Sequence, residues 1–281
     1  MESRIATWNG RQILLVLTLP IPITIFLPYG FISIIVSSLI LIKQVLLRII
    51  FTGPMKRSPP FSDPDWEIIT TFNAGTDVYG FINLQRVKSD LVVFVHGWQS
   101  SSEKYTERMN LFKSRGFHTL AIDMRGHGMA PDTLEWTAGK VINDIKALLS
   151  VLDQSKINKV HFYGHSLGGF VCIGMHHDRH QGWWKENYGR LILESPMTCY
   201  SYIYDEIISK LRVPTLARES LWNRMKKHFN FLNKHIKPID ILADADVPIW
   251  GYITSPMLIL QAEIDDRLAL DHYDKLLESH N

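Results

Sequence analysis

From Ile13 to Phe51 the chain is apolar almost without interruption, and no charge falls between Ile13 and Ile42. One bilayer crossing takes about 20 such residues, so this run is long enough for an anchor. It exceeds the ~7–15-residue apolar core of a secretory signal peptide and has no small-residue cleavage site at its end. Residues 1–52 therefore read as a membrane anchor. Pro20, Pro22 and Pro28 punctuate its first half, and Pro28-Tyr29-Gly30 reads as a turn. One kinked span and a short hairpin both fit, and the shortness of each hairpin arm leaves an interfacial form open. Arg4 and Arg11 precede the run; Lys43, Arg48, Lys56 and Arg57 follow it. The heavier downstream cluster predicts that the rest of the chain faces the cytoplasm.

The pattern changes at Gly53. Pro54, Pro59, Pro60 and Pro64 mark residues 53–64 as a linker. Beyond it, Trp66–Phe72 and Val78–Leu84 predict an opening antiparallel pair of strands. Leu91–Val95, Phe117–Ile122, Lys159–Tyr163, Leu191–Leu193 and the apolar run from Pro256 read as further strands. Between them lie predicted helices at Tyr105–Lys113, Leu134–Leu152, Leu167–Met175 and Leu268–Ser279. In the second, Val141, Ile145, Leu148 and Leu152 recur at helical spacing. Strands alternating with helices of this length imply a mostly parallel sheet covered on both faces, an α/β domain over residues 65–281. The interval 196–254 is too long for a simple crossover and holds helical stretches at Tyr202–Leu211 and Glu219–Phe231.

Composition narrows the function. The 281 residues are 46% hydrophobic and 21% charged, with a formal charge of +2. So small a net charge gives no reason to expect nucleic acid as a partner, while the cations beside the apolar run suit anionic headgroups. Two cysteines, Cys172 and Cys199, make no disulfide framework. No zinc-type Cys/His spacing, Walker loop or G-x-G-x-x-G run occurs, so neither metal nor cofactor is expected.

The chemistry concentrates in Gly164-His165-Ser166-Leu167-Gly168, a G-x-S-x-G run between a predicted strand and a predicted helix. In such an elbow the serine hydroxyl projects above the sheet. A Cβ at Gly164 or Gly168 would collide with neighbouring strand and helix. The Leu167 N–H, at the helix N-terminus, faces the space where an oxyanion would form.

Three further segments occur in matching order: Leu91–Trp98, ending in His96-Gly97-Trp98; Leu120–Gly128, containing Asp123-Met124-Arg125-Gly126-His127-Gly128; and Pro256–Asp266. Together with the elbow they resemble the α/β-hydrolase superfamily, nearest its acylglycerol-lipase and serine-aminopeptidase-like members. The resemblance implies a catalytic Ser166, a second oxyanion N–H from Trp98, and a triad acid at Asp265 with Asp266 in reserve. It also implies that His96 is structural. Asp123, Arg125 and His127 are read as loop braces, and Asp266 as a capping residue for the helix near Leu268. The 196–254 insert becomes a cap over the site.

In this family the triad histidine follows one more helix and strand after the acid. Only 16 residues follow Asp265, so the final strand is expected to be missing and the triad histidine to lie beyond residue 281. His272 and His280 are not placed where the family needs a base. The expected function is a membrane-anchored serine hydrolase that cleaves a lipid-like carboxylic ester through an acyl-enzyme on Ser166. A serine aminopeptidase-like peptidase and a non-catalytic scaffold are the alternatives. The partners expected are an ester substrate and the membrane; oligomeric state is left open.

Overall fold

The computed structural model describes residues 7–54, 58–180, 182–234, 236–268 and 270–280. Arg4, Lys56 and Arg57 lie outside the described residues.

The apolar N-terminus folds as a helical hairpin. Its first arm is α1 (Gly10–Thr18) followed at once by α2 (Pro20–Phe26). Pro20 lacks an N–H and sits at the first position of α2, so the ladder is reset there without unravelling. The turn passes through Tyr29 at φ +63°, and a Cβ at Gly30 would lie 2.2 Å from Ile23 O. The second arm, α3 (Phe31–Phe51), packs back against α2. The arms are not equally short: α3 has 21 residues, about 31 Å at 1.5 Å per residue. Among the described residues it is the one helix long and apolar enough to cross a bilayer.

Seven strands follow: β1 (Glu67–Asn73), β2 (Thr76–Asn83), β3 (Ser89–Val95), β4 (His118–Asp123), β5 (Ile157–His165), β6 (Tyr188–Glu194) and β7 (Met257–Leu260). Their order in the sheet is β1-β2-β4-β3-β5-β6-β7. β2 pairs antiparallel with β1 and β4; all other pairs are parallel. Central strands bury both faces. Along β3, Leu91, Val93 and Val95 join the core that holds α5 (Ala138–Ser150) and α6 (Leu167–Met175). Val92 and Phe94 join the opposite core with Tyr105 and Met109, the latter on α4 (Thr106–Ser114). This two-residue alternation makes a strand buried on both sides read as one continuous apolar run.

Two predicted helices begin later than their periodicity suggests. α5 starts at Ala138 instead of Leu134, because Thr137 caps it by accepting from Lys140 N at 3.2 Å. α9 (Asp271–Glu278) starts three residues after Leu268, which itself lies in a turn.

The segment between β6 and β7 carries α7 (Tyr200–Lys210) and α8 (Thr215–Leu232). It packs where sequence gave no hint. Leu47 and Phe51, at the end of α3, are buried with Tyr204, Ile208, Leu221 and Met225 of these helices and Val213 of the link between them. The residues after α3 are also docked. Ser101 Oγ donates to Pro59 O at 2.6 Å, and Phe61 lies 4.8 Å from the Phe81 ring.

Candidate active site

The carboxyl ends of β3, β5, β6 and β7 lie side by side, and each delivers one part of the site. β5 runs through His165 and α6 begins at Leu167, leaving Ser166 alone to make the turn at φ +51°, ψ −120°. A non-glycine residue in that region is strained by about 1–3 kcal/mol. Backbone bonds hold it there. Ser166 N donates to Glu194 O at 3.0 Å, and Ser166 O accepts from Gly169 N at 2.9 Å and Met197 N at 3.1 Å. The elbow is therefore pinned to β6 and to its own helix.

Both motif glycines are required by contact. A Cβ at Gly164 would lie 2.6 Å from Gly168 O, and one at Gly168 only 2.0 Å from Val95 O. Helix α6 can thus approach β3 closely enough for the turn after β3 to reach the serine. A Cβ at Gly97 would lie 3.3 Å from Ser166 Cβ. Among the described residues, neither Trp98 N–H nor Leu167 N–H donates a backbone hydrogen bond. Trp98 is positioned by edge-on contacts with His127 at 5.2 Å and Trp136 at 5.1 Å.

The histidines around this turn brace it. His96 is fully buried and its Nε2 accepts from Met124 N at 3.1 Å, so the ring proton sits on Nδ1, against Gly97 O at 2.8 Å. His127 repeats the arrangement: Nε2 accepts from Gln99 N at 3.0 Å, and Nδ1 faces Arg125 O at 3.1 Å. Burial pushes His96 down to about 4 and His127 to about 3, so both are neutral at physiological pH. Asp123 accepts from Ser102 N and Met129 N, each at 2.8 Å. Arg125 makes a two-pronged pair with Asp144, at 2.8 and 2.6 Å, and both are buried. Each of these residues is consumed in holding a loop.

After β7 the chain turns at Asp265. Its Oδ1 accepts from Arg267 N and Leu268 N, both at 3.0 Å. The expected capping role of Asp266 is thereby corrected: Asp265 holds this turn, because its carboxylate points back over the amides while Asp266 is exposed. Burial alone would raise the Asp265 carboxyl. The Leu268 and Arg267 amides, with the Ser195 and Gln261 side chains, outweigh it and hold the group below its ordinary value. Ser195, at φ +40°, follows Glu194, whose carbonyl binds Ser166 N. Asp265 thus reaches the elbow through two short links. Its charge is felt at His165 and His272.

Two of the remaining candidate histidines are engaged elsewhere. His272 is buried, and its Nδ1 accepts from Thr198 N at 3.0 Å and Cys199 N at 3.2 Å. His280 Nε2 accepts from Ile253 N at 3.3 Å. His165 is half-buried and pushed below its ordinary value by desolvation; its Nδ1 would lie 2.8 Å from a Cβ at Gly97. Sequence reading missed one network under the elbow. Glu194 accepts from Arg108 Nη2 at 2.5 Å and from the Tyr163 hydroxyl at 3.0 Å. Nothing local signals it, since the three residues come from α4, β5 and β6. No group of metal-ligating side chains occurs among the described residues.

Known proteins resemble this chain in sequence and in fold. The serine aminopeptidase S33 family model matches residues 87–247. A probable lysophospholipase of Arabidopsis thaliana, BODYGUARD 1, is 29% identical over 146 residues, 47% of this chain and 30% of that protein. The AB hydrolase superfamily protein YisY of Bacillus subtilis (strain 168) is 28% identical over 92 residues, 32% of this chain and 33% of that one. The matched part thus spans about a third of the length of these curated relatives. Among solved structures, a Pyrococcus furiosus esterase superposes with a TM-score of 0.52 at 16% identity, covering 82% of this chain and 84% of that one. That likeness is one of fold.

Proposed function

Because the chain belongs to the serine aminopeptidase S33 family of α/β-hydrolases, we propose that it is a serine hydrolase acting on carboxylic esters of lipid-like molecules through an acyl-enzyme on Ser166. One observation carries this reading. Ser166 is held at φ +51° by bonds to β6, at the N-terminus of an apolar helix and against the Gly97 turn. Strain of this kind persists where geometry serves a purpose.

In the proposed reaction Ser166 Oγ attacks the ester carbonyl carbon while its proton passes to a base. The tetrahedral oxyanion faces the Trp98 and Leu167 N–H groups and the positive end of α6. Collapse breaks the C–O bond, and the alcohol leaves with the proton. Water then attacks the acyl-enzyme by the same route. Asp265 is proposed to orient the base histidine and stabilise its cation. That histidine is assigned to none of the described ones.

The same reading sets residues 1–52 as anchor, 53–64 as linker and 65–281 as catalytic domain, with 196–254 as its cap. The hairpin supports a membrane seat with the catalytic domain on one side. Its two ends meet the same loop: Thr7 N donates to Glu135 Oε1, and Trp136 N to Phe51 O. We place that side as the cytoplasm, on the weight of cations after the apolar run. The family description also favours a peptide substrate as second reading, and paired p-nitrophenyl ester and aminoacyl p-nitroanilide assays separate the two.

The primary test is fluorophosphonate labelling of the 281-residue chain. Labelling lost in Ser166→Ala supports an activated Ser166 and places the base within this chain. A folded sample that stays unlabelled, and remains so when a C-terminal strand and histidine are appended, leaves the scaffold reading.

A further inference from the structure

The seam between α3 and α8 contains a groove of about 460 Å³ lined by Lys43, Leu216, Glu219, Ser220, Arg224 and Lys227, among others. Three of these are cations and one is an anion. On α8, Leu216, Ser220, Arg224 and Lys227 follow one another at four- and three-residue steps, so they share a face. Lys43, from α3, closes the other wall and donates to Ser220 Oγ at 2.6 Å.

The cations here differ from their neighbours. Lys226 is paired with Asp240 at 2.8 Å, Lys210 with Glu206, and Arg218 Nε donates to Val213 O at 3.2 Å. Arg224 Nε is buried and has no hydrogen-bond partner among the described residues. A buried guanidinium N–H without an acceptor is costly, and the acceptor that suits it best is a carboxylate or phosphate oxygen. Lys43 keeps two further ammonium donors after its bond to Ser220. Lys227 is exposed at the groove's rim.

The surroundings choose between anions. Leu216 is 98% exposed at the start of α8, and Leu211 is 41% exposed just before it. Along α3, the twelve residues Phe31–Ile42 carry no charge, and Lys43 is the first cation. A groove that combines three cations with an exposed leucine, beside the second arm of an apolar hairpin, matches an amphiphile bearing a phosphate.

We propose that this groove binds the phosphate headgroup of an anionic phospholipid, held by Arg224, Lys43 and Lys227. The assignment of a lipid source rests on the hairpin being seated in a bilayer. A headgroup here bridges α3 and α8 and so ties the segment over the active site to the membrane surface. Glu219, also in the lining, opposes a second negative charge.

The full chain in dodecyl maltoside is titrated with dioctanoyl phosphatidic acid, dioctanoyl phosphatidylcholine and inorganic phosphate, and apparent Kd is read from the thermal shift. Phosphatidic acid is expected to bind at least about tenfold more tightly than phosphatidylcholine or inorganic phosphate. Arg224→Gln loses about tenfold or more, Arg224→Lys recovers part of it, and Lys159→Gln changes nothing. If Arg224→Gln lowers the lipid-free Tm, the exposed Lys227→Gln carries the test. Equal binding of the two lipids overturns the site, as does full affinity in both Arg224→Gln and Lys227→Gln. Inorganic phosphate binding as tightly as phosphatidic acid overturns the lipid assignment. Carbonate extraction of vesicle-bound chain reports anchoring separately. A chain that washes off yet keeps its phosphatidic acid preference sinks the anchor and not the site.

Discussion

Replacing Gly168 with alanine sets two effects of opposite sign against each other. Gly168 is the second residue of α6, where alanine is favoured over glycine by about 1 kcal/mol. Against this, the new Cβ would lie 2.0 Å from Val95 O and 2.6 Å from His96 O. Both obstacles are backbone atoms, at the end of β3 and just after it, and contact closer than 3.0 Å forces a shift. β3 is wedged between β4 and β5 with both faces buried, so α6 must retreat by roughly 1 Å. Overpacking of this kind costs about 1–3 kcal/mol, and more where no side chain can yield. The clash wins, with a net loss of about 2 kcal/mol or more. For a domain of this size that lowers Tm by roughly 4–8 °C. The retreat also separates Leu167 N–H from the Trp98 turn, and a 1 Å misplacement can cost about 100-fold in rate. Differential scanning calorimetry reads the first effect and the fluorophosphonate labelling rate the second. Gly10→Ala is the control, since a Cβ there meets nothing within 4 Å. A Gly168→Ala variant at least as stable as the parent and labelled at the parental rate refutes the close-approach argument.

Further consequences follow from the braces. His96 and His127 are pushed by burial to about 4 and about 3. Their unfolded values are near 6.5, so the unfolded chain binds the extra protons. Stability from each is full above about pH 6.5 and is lost as pH falls toward the folded value. For His96 the loss by pH 4 is about 3 kcal/mol. Asp123, raised by burial, acts with the opposite sign at the acid end. Urea midpoints should hold near pH 7.5 and fall from about pH 6.5 to 5; a flat profile contradicts the neutral-histidine brace. Arg125→Met leaves Asp144 buried beside Asn73 Nδ2, which donates at 2.7 Å, without its cation. Breaking such a pair from one side costs about 3–5 kcal/mol. A loss under 1 kcal/mol by chemical denaturation counts against it.

Much of this protein was legible in the chain itself. β3 and β5 stand out because strands buried on both faces are apolar throughout, and the elbow because only glycine tolerates a Cα within reach of a carbonyl. The roles of Asp123, Arg125 and His127 as braces were legible for the same reason: a local motif encodes a local loop. What the sequence could not decide is whatever depends on elements far apart. Thr137 overrode the periodicity that extended α5 to Leu134: it caps the helix, and Trp136 N, just before it, bonds to Phe51 O, far away in sequence. Asp265, and not Asp266, holds the turn after β7, a choice made by side-chain direction. The close approach of Gly30 to Ile23, which lets α3 fold back on α2, could not be read from the apolar run alone. The seam between α3 and α8 was invisible, since Lys43 and Ser220 are 177 residues apart and each alone reads as an exposed polar residue. Periodicity reports which face of an element is buried; only the tertiary structure reports against what.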